Sequence, residues 1–495
     1  MSELLALVRT VKNSFVAINR IPPEVLSLIP AHWDKCFMDR DIIKLTHVCH
    51  GWREIFISHS SLWTHLHFTD VDKTRTYIQR SKLSLLDIHL GCKGGNPSLD
   101  YANPSIITHL CRLESLTIST DILPRILQHL RFQAPYLKKI DIKVSPSHSN
   151  ILDAALFNGD LSSLRELSLI GVATHLPWRN LGNLEVLYLS IPEGQEVTVT
   201  RLLDFFESAP FLHTATITDS IPELSDVPAR RVVPLHHLKK LVVDSHLGHL
   251  ILKHLGVPVG ASLELWASFS GEKSPLPDYL PETSPNLRNL SNITSVNLSF
   301  HYEDQYVALI GPSGSLLLYV DWENEVIPSS TMDRRALRSI NPRILSTTQR
   351  LAISGYAPHD PASDEQCPVF QTLSSTNDLQ TLILAECDNR PFIFALNPEK
   401  NRSKRLLCPN LKKLVFCVTS WDFTGYLISM VKRRALKGAK LSSIMMVGLR
   451  MEFPPEGVVL ELRKHVTNVE EKIKFVAFPQ DRPLDPGESG EGFWS

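Results

Sequence analysis

A recurring apolar pattern constrains the fold of this chain more than any other feature. The order apolar-x-x-apolar-x-apolar recurs with first positions at Leu83, Leu113, Leu137, Leu164, Leu184, Leu212, Leu238, Ile293, Leu379, Leu411 and Leu441. Alternating apolar residues at the end of each copy are typical of a strand with one buried face. So loose a pattern also arises by chance in a leucine-rich chain, and the spacing alone is weak evidence for a repeat.

The residues around these copies repeat as well. Pro135, Pro210 and Pro409 stand two residues before the first leucine of APYLKKIDI, APFLHTATI and CPNLKKLVF. Most copies lie roughly 20 to 35 residues apart, with helical stretches such as 201–208 between them. One strand and one helix per interval predict an α/β protein built as an irregular leucine-rich-repeat solenoid of short parallel strands and helices.

The repeat decays over residues 240–370, where only degenerate copies remain. These copies are the pairs Leu263/Leu265, Leu316/Leu318 and Leu351/Ile353. The sequence leaves open whether this stretch continues the array or forms an inserted lobe. The residues between the leucines are expected to line the face that meets a partner, for example Arg165, Glu166, Glu185 and Lys239.

Composition excludes several classes of protein. The chain is 43% hydrophobic and 21% charged, so it can bury a large core. Lys and Arg number 51 against 52 Asp and Glu, and no net field draws in nucleic acid or anionic lipid. Eight cysteines without a Cys-x-x-Cys motif indicate reduced thiols, and no apolar run reaches the length of a membrane span. We therefore expect a cytoplasmic or nuclear protein, or one present in both, with no membrane or nucleic-acid partner.

The two ends of the chain have different characters. Residues 1–19 place apolar side chains near helical spacing and predict an amphipathic helix; they are Leu4, Leu7, Val8, Val11, Phe15 and Ile18. Residues 479–495, PQDRPLDPGESGEGFWS, are rich in proline, glycine and acid and predict a disordered tail.

Residues 20–68 read as a compact helical module. Pro22-Pro23-Glu24 has the form of a helix start, because proline suits the first turn, and Pro30 limits that helix. A second apolar stripe recurs at steps of three and four, at Ile42, Leu45, Cys49, Trp52 and Phe56. Some 50 residues cannot bury so many large apolar groups, and the surplus should face a partner or the next domain.

The stretch IPPEVLSLIPAHWD…RDIIKLTHVCHGWREIFISHSSLWTHLHF resembles an F-box domain of the kind abundant in mushroom-forming fungi. The match consists of Pro22-x-Glu24, then Val48-Cys49-x-x-Trp52-Arg53, then Leu62-Trp63, in the right order and spacing. The resemblance implies an all-helical F-box over 20–68, followed by a leucine-rich substrate-binding domain over 80–478.

The resemblance also implies partners. F-box proteins dock a Skp-type adaptor of a cullin–RING ubiquitin ligase and present a protein substrate with the remainder of the chain. The family's adaptor contacts fall here on Ile21, Pro22, Val25, Ile29, Ile43, Leu45, Val48, Cys49 and Trp52. Leu62 and Trp63 match the family's closing apolar pair, which packs the module against the repeats.

These observations predict a substrate-recognition subunit with no catalytic residue, metal or cofactor of its own. Its mechanism is proximity, because it holds a substrate lysine near a conjugating enzyme. Two alternatives stay open. One is a non-ligase scaffold that binds protein partners, and the other is a hydrolase-type enzyme with an unrecognised Cys or Ser site.

Three further motifs favour ordinary structural explanations. His246, His249 and His254 have helical spacing, but structural or surface histidines explain them better than a metal site does. Residues 311–314 lack the lysine of a phosphate loop and indicate a turn. Residues 399–440 hold eleven basic and two acidic side chains, which favours solvated helix faces over a site for an acidic substrate.

Overall fold

The structure of this chain is a computed structural model. It describes residues 4, 8, 11–13, 15–32, 42–67, 71–91, 109–119, 130–144, 151–152, 156–174, 181–190, 198–218, 231–268, 286–290, 293–300, 305–312, 314–321, 342–355, 368–400, 404–449 and 453–473. The expected tail over 479–495 lies outside the described residues.

The α-helices named for the described residues are short, and five of the ten lie beyond residue 340. They are α1 Pro23–Leu28, α2 His50–Ser58, α3 Val71–Ser81, α4 Val199–Ser208, α5 Ser245–Ile251, α6 Pro342–Thr347, α7 Pro368–Ser375, α8 Arg390–Leu396, α9 Thr424–Leu436 and α10 Glu456–Arg463. The 3-10 turns are Ala17–Arg20, Ile29–His32, Ser60–Trp63, Leu110–Arg112, Leu156–Gly159, Leu252–His254 and Arg288–Leu290.

The described residues include 21 strands. They are β1 His65–His67, β2 Leu86–Gly91, β3 Leu113–Ser119, β4 Lys139–Lys143, β5 Ile151–Leu152, β6 Glu166–Ile170, β7 Ala173–Thr174, β8 Val186–Ser190, β9 Thr214–Thr218, β10 Val233–Pro234, β11 Lys240–Asp244, β12 Leu255–Gly256, β13 Ser262–Ser268, β14 Ser295–Phe300, β15 Gln305–Ile310, β16 Ser315–Asp321, β17 Arg350–Ser354, β18 Thr381–Ala385, β19 Lys413–Val418, β20 Ser443–Gly448 and β21 Asn468–Ile473.

Each copy of the apolar pattern ends on one of these strands. In β6, Leu167 and Leu169 are buried, whereas Ser168 between them is half-buried. Side chains alternate between the two faces of a strand, and the pattern therefore buries one face against the core. The degenerate pairs lie on strands too, and Leu351 and Ile353 of β17 are both buried.

The described residues divide into two compact units. The first comprises Met1–Leu265 with Thr283–Arg288, and the second comprises Trp266–Glu282 with Asn289–Ser495. In the first unit, β1, β2, β3, β4, β6, β8, β9 and β11 pair in parallel in that order. In the second unit the order is β16, β15, β14, β17, β18, β19, β20 and β21.

The expected leucine-rich solenoid is wrong. Seventeen of the described strands belong instead to one large, mostly parallel sheet in a mixed α/β protein. The order of the strands in the sheet first differs from their order in the chain at β14. This strand pairs antiparallel with β15 and parallel with β17. The apolar pattern specifies which face of a strand is buried. That requirement is met equally by parallel and antiparallel pairing, and the pattern does not determine the architecture.

The expected all-helical F-box over 20–68 is also wrong. Helix α1 has only six residues, because Pro23 opens it and Pro30 falls in the 3-10 turn that follows. The segment ends in β1, which pairs in parallel with β2. His65-Leu66-His67 alternates polar and apolar side chains, and this period of two favours a strand over a continued helix.

Two expectations from composition can be compared with the structure. The five described cysteines, Cys49, Cys111, Cys387, Cys408 and Cys417, are thiols, and none of them forms a disulfide. Among the described residues, none of the helices combines the length and the apolar character needed to cross a membrane.

Candidate protein interface

The nine residues expected to contact an adaptor all lie outside the buried core. Val25, Ile29 and Val48 are large apolar side chains with 50%, 40% and 56% of their surface exposed. Pro22 is exposed as well, and the remaining five are half-buried, namely Ile21, Ile43, Leu45, Cys49 and Trp52. Exposed apolar side chains in this number are typical of surfaces that another molecule covers.

Helix α1 separates an exposed apolar face from a buried one. Val25, Leu28 and Ile29 stand at positions i, i+3 and i+4, which share one side of a helix, and all three are exposed. Leu26 belongs to the core, with 2% of its surface exposed, and Ser27 is buried beside it. Leu28 is not among the residues expected to contact an adaptor, although its helical spacing from Val25 places it on the same side of the helix.

The expected closing pair is buried. Leu62 and Trp63 expose 2% and 0% of their surface. The indole Nε1 of Trp63 donates a hydrogen bond of 2.8 Å to the Phe56 carbonyl at the end of α2. Tyr77 of α3 meets the same indole edge-to-face at 4.9 Å, and the Arg80 guanidinium lies 4.3 Å from its ring centre. Trp63 therefore joins α2, the 3-10 turn and α3.

A second tryptophan ties the chain before α1 to α2. Trp52 Nε1 donates a hydrogen bond of 2.6 Å to Asn19 Oδ1, and its ring meets Phe56 edge-to-face at 5.6 Å. Arg53 Nε donates to the Thr46 carbonyl at 2.9 Å and fixes the turn that leads into α2. Asn19 was missed by sequence reasoning, because nothing in its spacing signals a partner 33 residues away.

The residues before α1 extend the exposed apolar surface. The described apolar residues of the expected N-terminal helix are Leu4, Val8, Val11, Phe15 and Ile18, and they expose between 43% and 69% of their surface. Residues 11–13 are helical, and a 3-10 turn covers Ala17–Arg20. The apolar side chains of this segment are therefore not buried by the other described residues.

The other motifs weighed in the sequence have structural explanations. The gap between β15 and β16 is a tight turn in which Gly311 N–H donates to the Gly314 carbonyl at 2.8 Å, as expected for a turn. His254 is buried, with Nδ1 2.9 Å from the Arg231 carbonyl, and the side chains of His246 and His249 lie outside the described residues.

The basic stretch 399–440 contains one clear exception to a solvated helix face. Lys432 pairs with Glu461 at 2.7 Å, and Arg433 pairs with Glu399 at 2.8 Å. Arg434, however, is fully buried, and its guanidinium donates to the Leu407 and Cys408 carbonyls at 2.7 Å each. Burial lowers the pKa of this guanidinium from its ordinary value. Arg434 therefore serves the core of the second unit.

Comparison with known proteins assigns no family. No protein-family model matches this chain, and no curated protein matches it either. The F-box resemblance of residues 20–68 therefore stays a prediction from the sequence.

Proposed function

We propose that this chain is the substrate-recognition subunit of an SCF-type cullin–RING ubiquitin ligase. Residues 20–68, which resemble an F-box in sequence, would dock a Skp-type adaptor, and the sheet that follows would bind a protein substrate. The observation that carries this proposal is the contrast within one short segment between exposed apolar side chains such as Val25 and Val48 and the buried anchor Trp63.

The exposed apolar residues have the make-up of a protein interface. Interfaces depend on a few apolar anchors inside a polar rim. Val25, Leu28 and Ile29 supply such anchors on α1, and charged Glu24 directly precedes them in the chain. Burying an exposed apolar side chain contributes about 25 cal/mol per Å² of area removed from water, before the costs of association.

Buried side chains fix the segment to the residues that follow it. Trp63 contacts Tyr77 of α3, and the Ser60–Ser84 hydroxyl contact at 2.9 Å reaches the residues just before β2. Arg112 adds a hydrogen bond of 2.7 Å from Nη1 to the Ser84 carbonyl. A docked adaptor would therefore be held in a defined orientation to the first unit, as delivery of a substrate to a conjugating enzyme requires.

The polar face of the first unit is the proposed substrate surface. It carries exposed ion pairs of both signs, including Lys139–Glu166 at 2.7 Å and Arg165–Glu185 at 3.2 Å. Mixed charge of this kind favours a protein partner with complementary charges and tunes specificity more than raw affinity.

Reconstitution of ubiquitin transfer tests the proposal. The chain would be combined with the adaptor, a cullin–RING assembly, the activating and conjugating enzymes and ubiquitin, and ubiquitin attached to the chain itself would be measured. We expect transfer to wild-type protein and to Leu460→Asp, a control in which an apolar side chain 55% exposed on α10 is changed. We expect transfer to be lost in Val25→Asp/Ile29→Asp.

The outcomes separate the proposed function from its alternatives. Adaptor binding without ubiquitin transfer would favour the scaffold that binds protein partners. Equal transfer to wild type and to Val25→Asp/Ile29→Asp would overturn the assignment of α1 as the docking surface. Circular dichroism of each variant would confirm that its fold is intact.

A further inference from the structure

Three side chains at the start of the large sheet form a compact group of nitrogen and oxygen donors. His65 of β1 and Asp87 and His89 of β2 place one ligand atom each within 4.8 Å of one another. His65 Nδ1 lies 3.1 Å from Asp87 Oδ2, and His89 Nε2 lies 3.4 Å from Asp87 Oδ1. His65 lies near the end of the proposed docking segment, and Asp87 and His89 lie outside it.

Strand register holds this group together. Parallel pairing places His65 opposite Asp87 and His67 opposite His89. Residues two apart in a strand share a face, so all four side chains stand on the same side of the sheet. The His67 and His89 rings stack at 4.9 Å, which limits the rotation of the His89 ring. Donors on paired strands are held more accurately than donors on loops.

Imidazole nitrogens approach a carboxylate this closely in two chemical situations. Either each ring donates an N–H to the carboxylate, or the ring lone pairs and the carboxylate share a cation. Zinc binds imidazole nitrogen and carboxylate oxygen at about 2.0–2.2 Å, and tetrahedral geometry then separates neighbouring donor atoms by about 3.3 Å. The two short contacts are made to different oxygens of Asp87, with His65 Nδ1 3.1 Å from Oδ2 and His89 Nε2 3.4 Å from Oδ1. The carboxylate therefore stands between the two imidazole rings, and one of its oxygens lies within 4.8 Å of a ring nitrogen of each histidine.

We propose that His65, Asp87 and His89 bind a Zn²⁺ ion, with the fourth coordination position held by water. Two imidazoles and one carboxylate suit zinc better than calcium or magnesium, which prefer oxygen donors alone. Each of the three side chains offers one donor atom within 4.8 Å of the other two, and a closing movement of at most about 1.5 Å would bring the donors to the separation that a tetrahedral ion requires.

Nearby charges are compatible with a bound cation. The pKa of Lys139 of β4 is raised, chiefly by the hydrogen bond of its ammonium to Glu166 at 2.7 Å and to a smaller extent by the charge of Asp87. Asp141 of the same strand adds a further carboxylate in register with Thr117, the neighbour of His89. The site would link β1, which directly follows the buried Trp63, to β2, and zinc would clamp the docking segment to the first unit.

This inference goes beyond the proposed function and does not depend on it. Metal content of the full-length chain would be measured after dialysis against zinc, and Co²⁺ would serve as a visible probe of four-coordinate geometry. We expect one equivalent of zinc in the wild type and at least a tenfold weaker affinity in Asp87→Asn and in His89→Gln. Zinc should raise the Tm of the wild type and leave those variants unchanged.

A matched control separates this site from adventitious binding to histidines. His213 and His237 also bring two imidazole rings together, at 6.2 Å, in the same unit. His213→Gln/His237→Gln should bind zinc as the wild type does. The proposal is overturned if the wild type binds no zinc, or if Asp87→Asn and His89→Gln bind it as tightly as the control. Circular dichroism without metal checks that each variant folds.

Discussion

The two units bury their parallel strands differently. In the first unit, β4 alternates buried Ile140 and Ile142 with charged Lys139, Asp141 and Lys143. In the second unit, β18 reads Leu382-Ile383-Leu384-Ala385, and all four residues are buried. Strands covered on one face alternate in sequence, whereas strands covered on both faces are continuously apolar.

The face that is polar in the first unit is apolar in the second. Ala352, Ile383 and Val415 stand in register on β17, β18 and β19 and form a buried cluster, with Cys417 and Met445 packed against it. The corresponding face of the first unit carries the ion pairs and the histidine group. The polar face of the first unit is therefore open to solvent and to a partner, whereas the same face of the second unit contributes to stability.

A charge placed on each face should give the largest contrast. Val415→Asp puts an unpaired carboxylate into the buried cluster, and we expect a loss of about 4 kcal/mol in unfolding free energy. Thr216→Asp, in the middle of β9 between uncharged Tyr188 and Val242, should cost under about 1 kcal/mol. Urea denaturation of both variants measures the difference. Equal midpoints would show that the two faces are not distinct.

The second-largest loss of stability is expected from replacing the buried guanidinium of Arg434 in the second unit. Arg434→Met removes the donors to the Leu407 and Cys408 carbonyls and leaves both acceptors buried, at a cost of about 3 kcal/mol. Arg433→Met, at the adjacent exposed position, should change stability by less than about 0.5 kcal/mol. Thermal unfolding checks this pair. An equal loss in both variants would contradict the role assigned to Arg434.

Thiol chemistry should distinguish the units as well. Burial raises the pKa of the Cys408 thiol from 9.0 to about 11, so the neutral thiol persists until the pH approaches that value. Two pKa units mean about a hundredfold less thiolate at pH 8. Exposed Cys111 of the first unit should react with iodoacetamide long before Cys408 does. Mass spectrometry of the labelled native protein measures the order in which the two thiols react. After denaturation, Cys111 and Cys408 should be labelled equally.

The smallest effect concerns the charged face itself. Lys139 and Glu166 are both about half exposed, at 48% of each side chain. Lys139→Met should lower stability by about 0.5 kcal/mol at low salt and by less at high salt, because exposed ion pairs are screened. Differential scanning calorimetry at two salt concentrations measures this. A large, salt-independent loss would place Lys139 in the core.

Strand positions could be predicted from the sequence, and the architecture could not. Leu316 and Leu318 carry the same alternation as Leu351 and Ile353, yet the first pair lies on an antiparallel strand and the second on a parallel one. The deciding feature is the turn at 311–314, which folds β15 back onto β16. Local periodicity records burial and contains no information on pairing direction.

Sites that combine residues far apart in the chain could not be predicted from the sequence either. Arg434 looks like one member of a charged run, and its carbonyl partners lie 26 and 27 residues away. His65 and Asp87 meet only because β1 and β2 pair in that register. By contrast, the sequence alone singles out Val25, Ile29 and Val48, which are exposed, and Trp63, which is buried; that the first three contact an adaptor stays a prediction.

Isothermal titration calorimetry of the chain with a Skp-type adaptor tests whether the exposed apolar residues form a docking surface. Wild-type protein and Leu460→Asp should bind equally, and Val48→Asp should bind at least tenfold more weakly. Leu460→Asp is a matched control because the two substituted side chains are similarly exposed, at 55% for Leu460 and 56% for Val48. Absence of binding by the wild type, or equal binding by Val48→Asp, would contradict the account.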